Sequence, residues 1–153
     1  MHELRRSALL GCSAERMFSV ITDVERYPEF VPYCVSAVVR TDNPTGGPAQ
    51  GTSAMLASLE LAARGFSEQF TTRNLAVPYE RVEMQLVSGP FSHFRGVWTL
   101  APIGDRGCRT ELHVQFEFRR GLQLLGRMVS RSLMHSADRV VDAFCLQAES
   151  GAQ

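Results

Sequence analysis

Residues 121–149 read GLQLLGRMVSRSLMHSADRVVDAFCLQAE, and their spacing decides the fold. Leu122, Leu125, Val129, Leu133, Val140 and Phe144 recur in steps of three and four, with one seven-residue gap bridged by Ala137. Met128, Met134, Val141, Cys145 and Ala148 widen that stripe. The period is helical and no proline interrupts it, so Gly121 to Glu149 reads as one amphipathic helix. At about 1.5 Å per residue it runs ~42 Å. A helix of that length needs an apolar surface of matching length, and only the strands upstream supply one.

Working back from the helix, the period changes to two. Leu112, Val114, Phe116 and Phe118 alternate with Glu111, His113, Gln115 and Glu117, the clearest strand in the chain. Phe94, Trp98 and Leu100 share one strand face. Val82, Met84 and Leu86 alternate with Arg81, Glu83 and Gln85, and a strand runs from Phe66 to Val77. Met55, Ala57, Leu59 and Leu61 share another face, and Val35 to Arg40 precede them. Turn chemistry separates these runs at Asp42 to Pro48, Arg64-Gly65, Pro78, Ser88-Gly89-Pro90 and Gly104 to Gly107. Short connections between successive strands imply an antiparallel meander.

At the other end, Leu4 to Leu10 reads as a first strand, and Ser13 is placed to cap a helix with Glu15 in its first turn. Ala14, Met17, Phe18, Ile21 and Val24 follow helical spacing up to Tyr27, where Pro28 ends the region. The segment Tyr27-Pro28-Glu29-Phe30-Val31-Pro32-Tyr33 holds three aromatics, and its two prolines bracket Phe30 and Val31. Its prolines exclude a helix interior or a central strand. It reads either as a loop packed over one end of the core or as an apolar lip over a pocket. The whole is an α+β chain: a curled antiparallel sheet of about seven strands wrapped around a long C-terminal helix, with an early helix pair. One domain is expected over residues 1–149, with 150–153 as a frayed tail.

Composition narrows the function classes. The chain has 153 residues, 44% of them hydrophobic, and a formal net charge of +0, so bulk charge points to no partner. All 16 basic residues are arginine, which excludes Schiff-base chemistry and a phosphate loop. Cys12, Cys34, Cys108 and Cys145 are scattered without a CxxC pair and read as reduced, mostly buried thiols. No apolar run approaches the ~18 residues of a membrane span and no signal peptide is legible, so a cytoplasmic chain is expected.

Catalytic and metal chemistry find little support. His2, His93, His113 and His135 lie at no metal-ligand spacing, and His113 falls on the polar face of its strand as a solvated histidine. Ser92-His93 lacks a nucleophile elbow. Glu68, between Phe66 and Phe70, reads either as a buried acid or as an edge or bulge position. Arg119, Arg120, Arg127 and Arg131 occur with no acid from residue 118 to 137. They are a solvated face or an anion-contacting one, and Arg119-Arg120 beside a helix start gain from a bound anion.

The run from Asp23 to Cys34, DVERYPEFVPYC, resembles the D-V-x-x-Y-P-x-F-x-P motif of the coenzyme Q-binding START-domain proteins and their bacterial relatives, the ribosome association toxins. Phe70-Thr71-Thr72-Arg73-Asn74, Val87 to Phe91 with Gly96-Val97-Trp98, and Leu112 to Phe118 before the long helix extend the likeness over nearly the whole chain. The resemblance, within the polyketide cyclase and START-like superfamily, implies the helix-grip fold. It also implies non-enzymatic binding of ubiquinone or a similar isoprenoid lipid between sheet and helix, in support of respiratory electron transfer. Met84, Leu86, Trp98, Val114, Phe116, Leu125, Met128 and Val129 would then line the cavity, and Tyr27, Phe30, Val31 and Tyr33 its lip. No cofactor is implied beyond that lipid as bound ligand. The four arginines would meet an anionic membrane, placing the chain peripherally at the inner membrane. The toxin branch implies a different role: binding a ribosomal subunit and blocking subunit joining, with a small ubiquitin-like antitoxin as partner. An enzyme of the polyketide cyclase type is a third class, and no acid–base pair in the sequence supports it.

Overall fold

Alternating apolar residues need one surface to face, and the chain supplies it by folding its strands into a single sheet. The computed structural model describes residues 2–41, 51–63, 66–121 and 138–150. In order they form β1 (His2–Leu10), α1 (Ala14–Thr22), a 3-10 helix (Val24–Glu29), β2 (Cys34–Thr41), β3 (Ser53–Ala63), β4 (Phe66–Val77), β5 (Arg81–Ser88), β6 (Phe91–Ile103) and β7 (Gly107–Phe118). Residues 138–150 are helical and are called α2. The sheet order is β1-β7-β6-β5-β4-β3-β2, every pair antiparallel. β2 to β7 are the expected meander; β1 joins its far edge by pairing with β7, His2 opposite Phe116.

The long terminal helix is described only over 138–150; residues 122–137 lie outside the described residues, and Gly121 stands in a turn with φ +92°. Helical structure reaches Ser150, one residue into the expected frayed tail. No described helix is long and apolar enough to cross a membrane.

α1 forms where the sequence caps it. Ser13 accepts from the Arg16 backbone N–H at 3.2 Å and Glu15 sits at the positive end. Its buried stripe, Ala14, Met17, Val20 and Ile21, packs toward β5, β6 and β7. On its exposed side Arg16 reaches across to α2, donating from Nε to the Ala148 carbonyl and from Nη2 to the Gln147 carbonyl, each at 3.1 Å. These carbonyls lie in the last described turn of α2, where the Gln147 carbonyl also accepts from the Ser150 hydroxyl at 3.1 Å, and the guanidinium suits the negative end of that helix. Arg6 on β1 meets Asp138 at 3.1 Å where the described part of α2 begins.

The segment after α1 departs from expectation. Pro28 lies inside the 3-10 helix Val24–Glu29, although the sequence excluded a helix interior there. The steric clash that bars proline arises with the i−4 carbonyl of an α-helix, whereas a 3-10 turn shares proline's φ near −65°. The turn is held instead by Arg26 N–H to Asp23 O at 3.2 Å, and by Phe30 and Val31 N–H to Tyr27 O at 3.1 and 2.8 Å. His113 is also less solvated than its strand face implied: Nε2 lies 2.8 Å from Glu3 Oε1 across the β1–β7 pair. That contact holds the Glu3 carboxyl below its ordinary pKa, the His113 hydrogen bond being the largest cause. Glu68 is partly buried, on unbulged register opposite Leu61 of β3, while pairing with β5 stops at Thr71, so it takes the edge reading rather than the bulge.

Candidate functional site

Register sets the residues of the inner face, against which α1 and α2 pack, into rows. Ala76, Val82, Trp98 and Leu112 stand abreast across β4 to β7, none more than 5% exposed. This row lies under the two helices and is dry. The next row holds Met55, Asn74, Met84, Gly96, Val114 and Leu4. Here Met55, Met84, Val114 and Leu4 are only half-buried. The missing side chain of Gly96 matters, because a Cβ there would lie 2.5 Å from the Met84 methyl, which folds over the glycine. Leu86, in the row beyond, is likewise half-buried.

Five phenylalanines bound this band at the far end. Phe70 stands edge-on to Phe91 and Phe94 at 5.2 and 4.7 Å, and Phe91 continues to Phe116 and Phe118 at 5.7 and 5.1 Å. His2 stacks on Phe116 at 5.1 Å. The inner face therefore has two closed ends and a middle band of half-buried apolar side chains between them. Met84, Leu86, Trp98, Val114 and Phe116, expected to share one surface, do share it. Leu125, Met128 and Val129 lie outside the described residues.

A second aromatic group forms at the helix side. Phe144 of α2 meets Tyr27, Phe30 and Trp98 at ring-centroid distances of 5.1, 5.2 and 5.0 Å. The Tyr27 hydroxyl donates to the Ile21 carbonyl, and burial pushes its pKa well up. Tyr27 is thus part of the core, while Phe30 and Val31 pack against it half-buried. Tyr33 does not join the ring group: it is 41% exposed, with φ +68°, and its carbonyl accepts from Ala62 N–H at 2.9 Å. Phe144 was legible as a helix-stripe residue but not as the hub of this group.

Of the four arginines, Arg119 and Arg120 are exposed just beyond β7, Arg119 N–H bonding Pro90 O at 2.9 Å. Arg127 and Arg131 lie outside the described residues. The opposite face of the sheet carries a polar groove of about 430 Å³ lined by Ser36, Arg40, Ser58, Glu60, Ser67 and Gln69, with Val38 between them.

Cys12, Cys34 and Cys108 are buried thiols and Cys145 is partly so. Burial raises the pKa of each, that of Cys145 up to about 11, with Glu149 and Asp142 adding to it. At pH 8 only ~0.1% of Cys145 is thiolate, against ~10% for a thiol at the ordinary 9.0. Iodoacetamide at pH 8 is expected to modify Cys145 about a hundredfold more slowly in the folded chain than in urea, read by peptide mass spectrometry; equal rates would contradict the burial. The same shifts fix a sign. The unfolded thiols ionise near 9.0 and the folded ones do not, so this stabilisation is complete below pH 9 and declines as pH rises above it.

Comparison with known proteins places these features. The model of the family "Polyketide cyclase / dehydrase and lipid transport" matches residues 10–145. The ribosome association toxin RatA of Pseudomonas aeruginosa is 36% identical over 150 residues, 95% of this chain and 94% of that protein. RatA of Vibrio cholerae is 40% identical over 118 residues, 77% of this chain and 76% of its own length. The mitochondrial coenzyme Q-binding protein COQ10 of Drosophila melanogaster is 28% identical over 151 residues, 95% of this chain but 54% of that protein. Among solved structures, the Zhui aromatase/cyclase of Streptomyces sp. R1128 superposes with a TM-score of 0.80, covering 99% of each chain at 15% identity, a likeness of fold.

Proposed function

Since the chain belongs to the polyketide cyclase/dehydrase and lipid transport family, in the company of the ribosome association toxins, we propose that it acts by binding a ribosomal subunit rather than by catalysis. The fold is the START-like helix-grip. One observation carries the reading: the 36% identity extends over 94% of a protein named for ribosome association. The motif resemblance puts a lipid carrier first, and this full-length likeness reverses the order. The contact surface in this reading is the end of the sheet that exposes Arg119 and Arg120.

The test is co-sedimentation with purified ribosomal subunits at several salt concentrations. Log affinity should fall linearly with log salt, and Arg119→Glu with Arg120→Glu should flatten that slope by about 1.5–2, the loss of two phosphate contacts. Circular dichroism should be unchanged, since both side chains are exposed. Wild-type protein that pellets with anionic liposomes but not with subunits would sink the proposal.

A second reading is favoured by the half-buried Met84, Leu86 and Val114 on the inner face, together with the COQ10 relative. In it the middle band holds an isoprenoid quinone or a similar lipid. Burial contributes about 0.8 kcal/mol per methylene against about 0.5–1.5 for one neutral hydrogen bond, so the apolar tail dominates affinity.

A further inference from the structure

Asn74 is out of place. It is 5% exposed, on the inner face of a central strand, with Met55 opposite it on one side and Met84 on the other. A buried amide in an apolar row is unfavourable unless its hydrogen-bonding groups are used. One of them is: the Thr72 hydroxyl, 4% exposed and two residues along the same face, donates to Asn74 Oδ1 at 2.7 Å. The side-chain NH2 has two donors. Among the described residues it has no hydrogen-bond partner. Thr72 fixes which end of the amide faces it, Oδ1, and leaves the NH2 on the side away from Thr72.

We infer that the Asn74 amide is an anchor for a carbonyl oxygen of a neutral, largely apolar molecule seated on the middle band. This rests on the second reading above, that the band takes an apolar ligand, and adds the group that orients it. A carbonyl fits because both N–H donors of the amide are left to meet an acceptor. A carboxylate or phosphate is disfavoured, because the neighbours in register among the described residues, Met55 and Met84, carry no charge. The half-buried Met84 and Val114 in the same row supply the apolar walls, with the Met84 methyl lying over Gly96 between them. Thr72 then acts as a positioning residue, acting on the carbonyl through Asn74.

Benzophenone and diphenylmethane differ only by C=O in place of CH2 and serve as probes. Both are titrated into wild-type protein and into Asn74→Leu, with binding followed by NMR. Wild type should bind benzophenone better relative to diphenylmethane, and Asn74→Leu should reduce that ratio by roughly three- to tenfold, the worth of one neutral hydrogen bond. If both probes bind and the ratio does not change, the anchor is wrong and the apolar-ligand reading stands. If wild type binds neither, both fall. Should Asn74→Leu not fold, the infrared carbonyl stretch of 13C-labelled benzophenone on wild type decides. A stretch lowered to its hydrogen-bonded position supports the anchor, and one at its position in hexane overturns it.

Discussion

Phe144→Ala lowers the stability of the folded chain by about 3–5 kcal/mol, the range for deleting a fully buried phenylalanine. The residue is 4% exposed and its ring is the common neighbour of Tyr27, Phe30 and Trp98. Those three come from the 3-10 helix, the residue that follows it and the middle of β6, and Phe144 is where α2 meets them all. Edge-on ring pairs add about 0.5–1.5 kcal/mol beyond area burial, which places this substitution toward the upper end. For a chain of this length the melting temperature should drop by on the order of 10 °C. Thermal unfolding followed by far-UV circular dichroism reads it, with Phe144→Leu as the volume-sparing control. A loss below about 1.5 kcal/mol would mean the three remaining rings close over the gap.

Met17→Ala is expected to lose about 2–5 kcal/mol. Met17 is fully buried, on the face of α1 that packs toward β5, β6 and β7, and near it Ile21 and Val24 are 1% exposed. Met17→Leu conserves volume and should cost less than about 1.5 kcal/mol. Urea denaturation gives both values, and an equal loss for leucine and alanine would point to shape rather than cavity as the cause. The prediction separates two views of the core. If the terminal helix alone filled the sheet, trimming α1 would be mild; the burial pattern makes α1 an equal plug at the dry end.

Much of this architecture was legible because alternation reports directly on which residues share a face. Phe66 to Val77 was read with the bounds it has, and Cys34–Thr41 extends the expected strand by one residue at each end. The same parity rule put Met84, Leu86, Trp98, Val114 and Phe116 on one surface. Neighbourhood was not legible. That β1 lies beside β7 depends on pairs from Leu10 with Cys108 to His2 with Phe116, distant in sequence, and period two carries no information about them. The phenylalanine group likewise needed the register of β4, β6 and β7. Asn74 escaped for a third reason: binary patterning assigns polar residues outward, and β4 inverts the rule by turning Thr72 and Asn74 inward. Pro28 was misjudged by applying an α-helical constraint to a tighter turn.

The pairing of β1 with β7 bears on how the chain is made. His2–Leu10 pairs along its length with residues 108–116 of β7, and the stripe of α1 packs on strands that begin at Arg81. At ~5–20 residues per second of synthesis, the amino-terminal strand therefore waits on the order of 10 s for its partner to emerge. Throughout that interval Met17, Ile21 and Val24 have no surface to cover them. The meander from β2 onward can zip by local steps, but closure of the first strand is a late, long-loop event. Chains released early, before β7, would carry an unpaired edge and a bare apolar helix, and these are the species most exposed to aggregation and to chaperones.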